Sequence, residues 1–205
     1  MKIIALWNNY GTALPENEEL TEPAVCWLSD SCLLREGRPF YVPDFDDDFR
    51  LFPSLAIRID RLGKGIGTRF AYRYWDHVSL WLNARACSMS RRLSRAGLPQ
   101  AAAVAFDCSL VAAPFFEVTP EESSDLAFVV CRNGEPACRW ESTALRMGPD
   151  EAVSAMSRHN TLKTGDIILL GFPEQGVAVS PGDRIEVMAE RAPFAPKALT
   201  GFKIK

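Results

Sequence analysis

The sequence predicts an α+β fold, predominantly β, in which a rolled, barrel-like mixed sheet carries short peripheral helices. Residues 1–205 are expected to form one domain. Three observations support this. Stretches with strand periodicity outnumber those with helical periodicity. The strand stretches cluster with hairpin and tight-turn signals, of which Asn133-Gly134 is the strongest. No repeat, linker or low-complexity run divides the chain.

Taken in order, KIIAL (residues 2–6) reads as a first strand, and the polar, turn-rich segment after it makes residues 9–22 a candidate lid or loop. AVCWL (24–28) is short and apolar, and LLREGRPFYV (33–42) has the look of a hairpin around Glu36-Gly37. In RLFPSLAIRID (50–60), Leu55, Ile57 and Ile59 alternate with Ala56 and Arg58, which predicts a strand with one buried face. Phe52 and Ser54 lie on its other face, with Pro53 between them and the acidic run DFDDD (44–48) upstream. RLGKGIG (61–67) lacks the spacing of a phosphate loop and reads as a solvated turn. TRFAYRYWDH (68–77) predicts a short helix capped by Thr68. VSLWLN (78–83) alternates as a strand, with Val78, Leu80 and Leu82 facing one way and Ser79, Trp81 and Asn83 the other. ARACSMSRRLSRAG (84–97) reads as a helix stopped by Gly97 and Pro99. An apolar run follows, with Asp107 its only charge. DLAFVVCRNGEPACRW (125–140) is a hairpin, GPDEAVSAMSRH (148–159) a short helix, and TGDIILLGF and PGDRIEVMAE are strands introduced by Gly-Asp turns.

Composition narrows the functional classes. Apolar residues make up 47%, charged residues 24%, and the net charge is −3, so there is no basic footprint for nucleic acid. The apolar runs are too short to span a bilayer, and the start of the chain has no signal-peptide pattern, so the expectation is a cytoplasmic protein. Six cysteines lack paired spacing, and only His77 and His159 could add imidazole. Reduced thiols are therefore expected in place of a zinc site.

The strings PDFDDDFRLFPSLAIRIDRLGKGI, AFD-x-S, NGE, TLKTGDIILLGFP and PGDRIEV, in this order from Asn9 onward, resemble the fumarylacetoacetate hydrolase family. The resemblance implies a β-rich fold and a dimer, either a homodimer or a heterodimer with a relative. It also implies hydrolysis, decarboxylation or isomerisation of 2-oxo acids and acylpyruvates at a Mg²⁺ or Mn²⁺ ion. A hard divalent ion wants carboxylate oxygens. The family supplies them as an E-x-E pair on one strand and an aspartate on a second.

Those positions are changed here. E-x-E falls on Phe52-Pro53-Ser54, and the aspartate on Asn83, or on Trp81 in a shifted alignment. The family's two lysines fall on Leu28 and Val104, and its lid histidine near Ala13, whereas Glu16 matches the lid glutamate. T-G-T-P becomes Leu170-Gly171-Phe172-Pro173, a glutamine falls on Cys138 and a threonine on Ser142. Three ionised ligands are thus lost, so no metal cofactor is expected and the chain reads as a non-catalytic relative that binds a small carboxylate or a protein partner. The alternative is an active hydrolase, isomerase or decarboxylase with a rebuilt site. The candidate catalytic groups are Glu16, Asn83 and Ser142, and the candidate ligand-binding groups are Ser54, Asn83, Ser142 and Thr143. Asp46, Asp47 and Asp48 read as a solvated loop, His77 beside Asp76 as a surface or capping residue, and His159 as a partner of a helix C-terminus. Trp75, Trp81 and Trp140 read as packing residues.

Overall fold

The computed structural model describes residues 1–11, 23–34, 38–190 and 197–205. The strands are β1 (Ile3–Leu6), β2 (Val25–Leu28), β3 (Leu33–Leu34), β4 (Phe49–Ile59), β5 (Trp75–Ala86), β6 (Leu110–Val111), β7 (Phe116–Glu117), β8 (Ala127–Arg132), β9 (Glu135–Glu141), β10 (Ile167–Leu169), β11 (Val177–Ala178), β12 (Arg184–Ala189) and β13 (Lys197–Lys203). Helices α1 (Thr68–Ala71), α2 (Cys87–Arg95), α3 (Ala101–Val104), α4 (Pro120–Ser123) and α5 (Pro149–His159) lie between them.

Nine strands form one curled mixed sheet in the order β2-β1-β10-β4-β5-β6-β3, with β11 beside β4 and β7 beside β5. The other four form an antiparallel sheet, β13-β12-β8-β9. Its hairpin turn is the expected one: Asn133 and Gly134 both take positive φ, 54° and 85°, as a two-residue turn between twisted strands requires.

The large sheet is buried on both faces. Odd-numbered β4 residues (Leu55, Ile57, Ile59) and even-numbered β5 residues (Val78, Leu80, Leu82) meet Phe128, Val130, Ile185 and Val187 of the small sheet, together with Ala152, Val153 and Met156 of α5. The opposite face carries a second core of Ile3, Ala5, Leu28, Phe52, Ala56, Trp81, Ile167, Leu169 and Phe172. The expected single buried face of residues 50–60 is therefore corrected, because β4 runs through the interior of the sheet. Pro53 fits there. The carbonyl of Leu55 faces β10, and Phe49 faces the chain after β11. Residue 53 points the same way, into the gap between the two short neighbours, so the missing N–H breaks no ladder bond.

Other boundaries also moved. The helix expected over 68–77 is only α1, with Gly67 rather than Thr68 as its cap, and Asp76 and His77 belong to β5. The helix expected from residue 84 starts at Cys87, because Ala84 and Ala86 still pair with Leu51 and Phe49. The turn at Glu36-Gly37 lies outside the described residues. The stretches beside it do not pair with each other: Leu33 and Leu34 pair with β6, and Phe40 bridges Ile204.

Candidate functional site

The antiparallel pair β4–β5 sets Phe52 opposite Asn83 and Ser54 opposite Trp81. Alternation then puts Phe52, Ser54, Trp81, Asn83 and Arg85 on the second core's face. Ser54 is fully buried, and its Oγ makes one long hydrogen bond, 3.4 Å, to the carbonyl of Leu55. Asn83 is fully engaged. Its Nδ2 donates to the carbonyls of Val104 (2.9 Å) and Ser109 (3.3 Å), and its Oδ1 accepts from Arg85 Nε at 2.9 Å.

Arg85 dominates the site. Only 8% of the residue is exposed, and its guanidinium carbon lies 4.3 Å from the ring centroid of Trp7, 4.3 Å from that of Phe52 and 4.1 Å from that of Phe172. Burial lowers its pKa to about 9, which leaves it cationic at neutral pH. Among the described residues no carboxylate pairs with it, and its Nη2 has no hydrogen-bond partner. Burying such a cation costs several kcal/mol, and each stacked ring returns about 1–2 kcal/mol.

Four other positions at which the resemblance places site residues are apolar and buried. Leu28 and Phe172 join Phe52 in the second core, while Val104 and Leu170 are buried in the first. The Phe52 ring lies so close to Gly176 that a Cβ there would sit 2.7 Å from it. Gly171 takes a φ of +117° beneath Asn9, whose Nδ2 donates to the Leu170 carbonyl at 2.8 Å. Asn9 thereby anchors the start of the expected lid. Glu16 and Ala13 lie outside the described residues.

The structure brings Ser54 and Asn83 to one face and places Ser142 and Thr143 elsewhere. The Ser142 Oγ accepts from the backbone N–H of Leu126 at 2.9 Å, and with Thr143 it lines a cleft bounded by Trp75, Pro149 and Asp150. Cys138 is half-buried, and burial pushes its thiol up, away from a nucleophilic thiolate. The acidic run serves a local purpose. Asp46 receives the N–H groups of Asp48 and Met89 at the start of α2, and Asp48 pairs with Arg50 (2.8 Å) and Arg91 (3.0 Å).

One other set of donors is close enough to hold a divalent ion. Asp60, Asp76 and His77 bring ligand atoms within 4.8 Å of one another, so the expected absence of any metal is not supported for the chain as a whole. His77 and Asp76 are in direct contact through Nδ1 and Oδ1, because the β4–β5 register slips here: Arg58 pairs with His77 and Ile59 with Trp75, so Asp76 bulges out of the strand alternation. Asp60 accepts from the Asp76 N–H at 3.0 Å and from Arg58 Nε at 3.3 Å. Burial and the neighbouring Asp76 raise its carboxyl. This cluster stands six residues along β5 from Asn83, about 20 Å.

The family model for the C-terminal domain of fumarylacetoacetate (FAA) hydrolase matches residues 2–197. The chain belongs to the fumarylacetoacetate hydrolase family. Family relatives include a homoprotocatechuate catabolism bifunctional isomerase/decarboxylase of Escherichia coli, 44% identical over 61 residues, which span 30% of this chain and only 14% of that enzyme. A mitochondrial oxaloacetate tautomerase of Rattus norvegicus is 25% identical over 188 residues, 90% of this chain and 85% of that protein. The fold also matches fumarylpyruvate hydrolase from Pseudomonas aeruginosa, solved with Mn²⁺ and pyruvate, at a TM-score of 0.86 and 19% identity, covering 100% of this chain and 89% of that one.

Arg85 is the residue that sequence reasoning missed. It sits two positions after Asn83, so strand alternation would have put it on the same face. The surrounding ARACSMSRR was read as helix, which hid that alternation.

Proposed function

We propose that this member of the fumarylacetoacetate hydrolase family does not carry out the metal-dependent chemistry of its relatives. We propose instead that it acts by binding a small organic ligand, as a homodimer. One observation carries the reading: a buried guanidinium, hydrogen-bonded to Asn83 and stacked on Phe52, occupies the face where the resemblance places the ion. The three ligand positions offer a phenyl ring, a hydroxyl and an amide whose oxygen already serves Arg85. A divalent ion there would meet a fixed positive charge and no carboxylate, so the residues present do not fit it. The dimer is what the family resemblance implies, and we assign its interface to α1, where Phe70 and Tyr72 are exposed beneath Arg69 and Arg73.

The experiment is a Mn²⁺ titration followed by electron paramagnetic resonance, paired with assays of oxaloacetate tautomerisation and acylpyruvate hydrolysis. The reading predicts no stoichiometric Mn²⁺ that depends on Ser54 or Asn83, and no turnover above background. Turnover abolished by Glu16→Gln would instead establish an active enzyme with a rebuilt site.

A further inference from the structure

A carboxylate drawn partly out of water without a cation marks a place where a cation belongs. Asp150 is such a group. It stands at the second position of α5, in the wall of the cleft that Ser142 and Thr143 also line, a space of about 520 Å³. Trp75, only 3% exposed, donates from Nε1 to Asp150 Oδ1 at 2.8 Å and fixes the carboxylate there. Oδ2 makes no hydrogen bond or ion pair among the described residues, and Asp150 remains partly exposed. Burial, the largest influence, raises its carboxyl, and Glu151 beside it acts in the same direction. The single cation of the lining is Arg69, an exposed residue. Its guanidinium carbon lies 4.3 Å from the ring centroid of Phe70, and it pairs with neither carboxylate among the described residues. The buried hydroxyls of the cleft are already engaged. Ser123 Oγ donates to the Pro120 carbonyl at 2.6 Å, and Ser142 Oγ accepts from the Leu126 N–H. Leu145 and Pro149 add apolar surface.

We propose that this cleft binds a small organic ammonium with an apolar body, the ammonium meeting Asp150 Oδ2 and the body lying against Leu145 and Pro149. The inference rests on the reading that the chain acts by binding a small organic ligand, and it gives that ligand a chemical class and a place apart from Arg85. An ammonium supplies the charge that Asp150 lacks, and Glu151 in the same lining offers a second acceptor. The start of α5 carries about half a positive charge, which two carboxylates outweigh. With Arg69 stacked on its ring, the cleft is left negative, which argues against an anionic ligand.

The probe is 2-phenylethylamine, titrated into the full chain and followed by calorimetry and by tryptophan fluorescence, to which Trp75 reports from its bond to Asp150. The neutral control is 2-phenylethanol. Saturable binding at one site is expected, weakened about tenfold or more in the alcohol and in Asp150→Asn. Asparagine keeps an acceptor for Trp75 Nε1 and removes only the charge. Glu151→Gln, at an exposed position, is expected to weaken binding by a smaller factor and serves if Asp150→Asn does not fold. Equal binding of amine and alcohol, affinity unchanged in Asp150→Asn, or no saturable binding at millimolar concentration would each overturn the proposal. The two claims fail separately: turnover of oxaloacetate or an acylpyruvate refutes the underlying reading, whereas amine binding indifferent to Asp150 refutes this inference alone.

Discussion

Phe52, Asn83 and Arg85 act as one unit. Phe52 stacks on the guanidinium, Asn83 holds its Nε, and the ring fills the space over Gly176. Gly176→Ala is expected to cost about 1–3 kcal/mol by overpacking, and Phe52→Leu in the same chain should relieve most of it. A double-mutant cycle by urea denaturation checks this; additive effects would mean that the ring lies elsewhere. Restoring the family's ligands with Phe52→Glu, Ser54→Glu and Asn83→Asp should fail while Arg85 remains, because the new aspartate would pair with it. Adding Arg85→Ser should tighten Mn²⁺ binding about tenfold or more, read by paramagnetic resonance. That no carboxylate stands at Phe52, Ser54 or Asn83 (or Trp81), where the resemblance places the family's, was readable from sequence because the strings around these positions are recognisable. The burial of Arg85 was not, because an arginine between two alanines in a stretch that reads as helix carries no mark of burial until its strand partner is known.

Among the elements, the two Gly-Asp turns clamp strand entries. Asp166 is buried and accepts from the backbone N–H groups of Lys2 and Lys163, 2.8 Å each, while contacting the Lys2 ammonium. Asp183 accepts from Ser180 N–H and Asn133 Nδ2, 2.8 Å each, and pairs with Arg132 at 2.9 Å. Burial alone would raise both carboxyls, but these donors outweigh it and hold both below the ordinary value. Their stabilisation is therefore full above about pH 4, where the unfolded carboxyl is ionised, and is lost as pH falls through the lower folded values. Asp166→Ala is expected to cost about 2–4 kcal/mol at pH 7, and Asp166→Asn with Asp183→Asn should flatten the loss of stability below pH 4. Denaturation across that pH range tests both. The Gly-Asp and Asn-Gly signals were readable because turn chemistry is local. The short strands β6, β7 and β11 were not, because two residues carry no periodicity and become strands through partners such as β4 and β5.

Across the whole molecule, the curled sheet with one core on each face explains why so much of β4 and β5 is apolar or buried. Sequence alternation showed which residues share a face, whereas only the assembled sheet showed that both faces are covered. No helix among the described residues is long and apolar enough to cross a membrane. The proposed homodimer is expected to dissociate to monomers when Phe70 and Tyr72, both exposed, are changed together to glutamate, with the fold retained by circular dichroism. Light scattering coupled to size exclusion reads the mass, and an unchanged dimer would move the interface elsewhere. The central claim is that a guanidinium takes the place of the ion, and anomalous diffraction from crystals grown with Mn²⁺ tests it most directly. The predicted map shows the Arg85 side chain between Trp7, Phe52 and Phe172, with no anomalous peak beside Ser54 and Asn83. A manganese peak coordinated by either of those two side chains would contradict it.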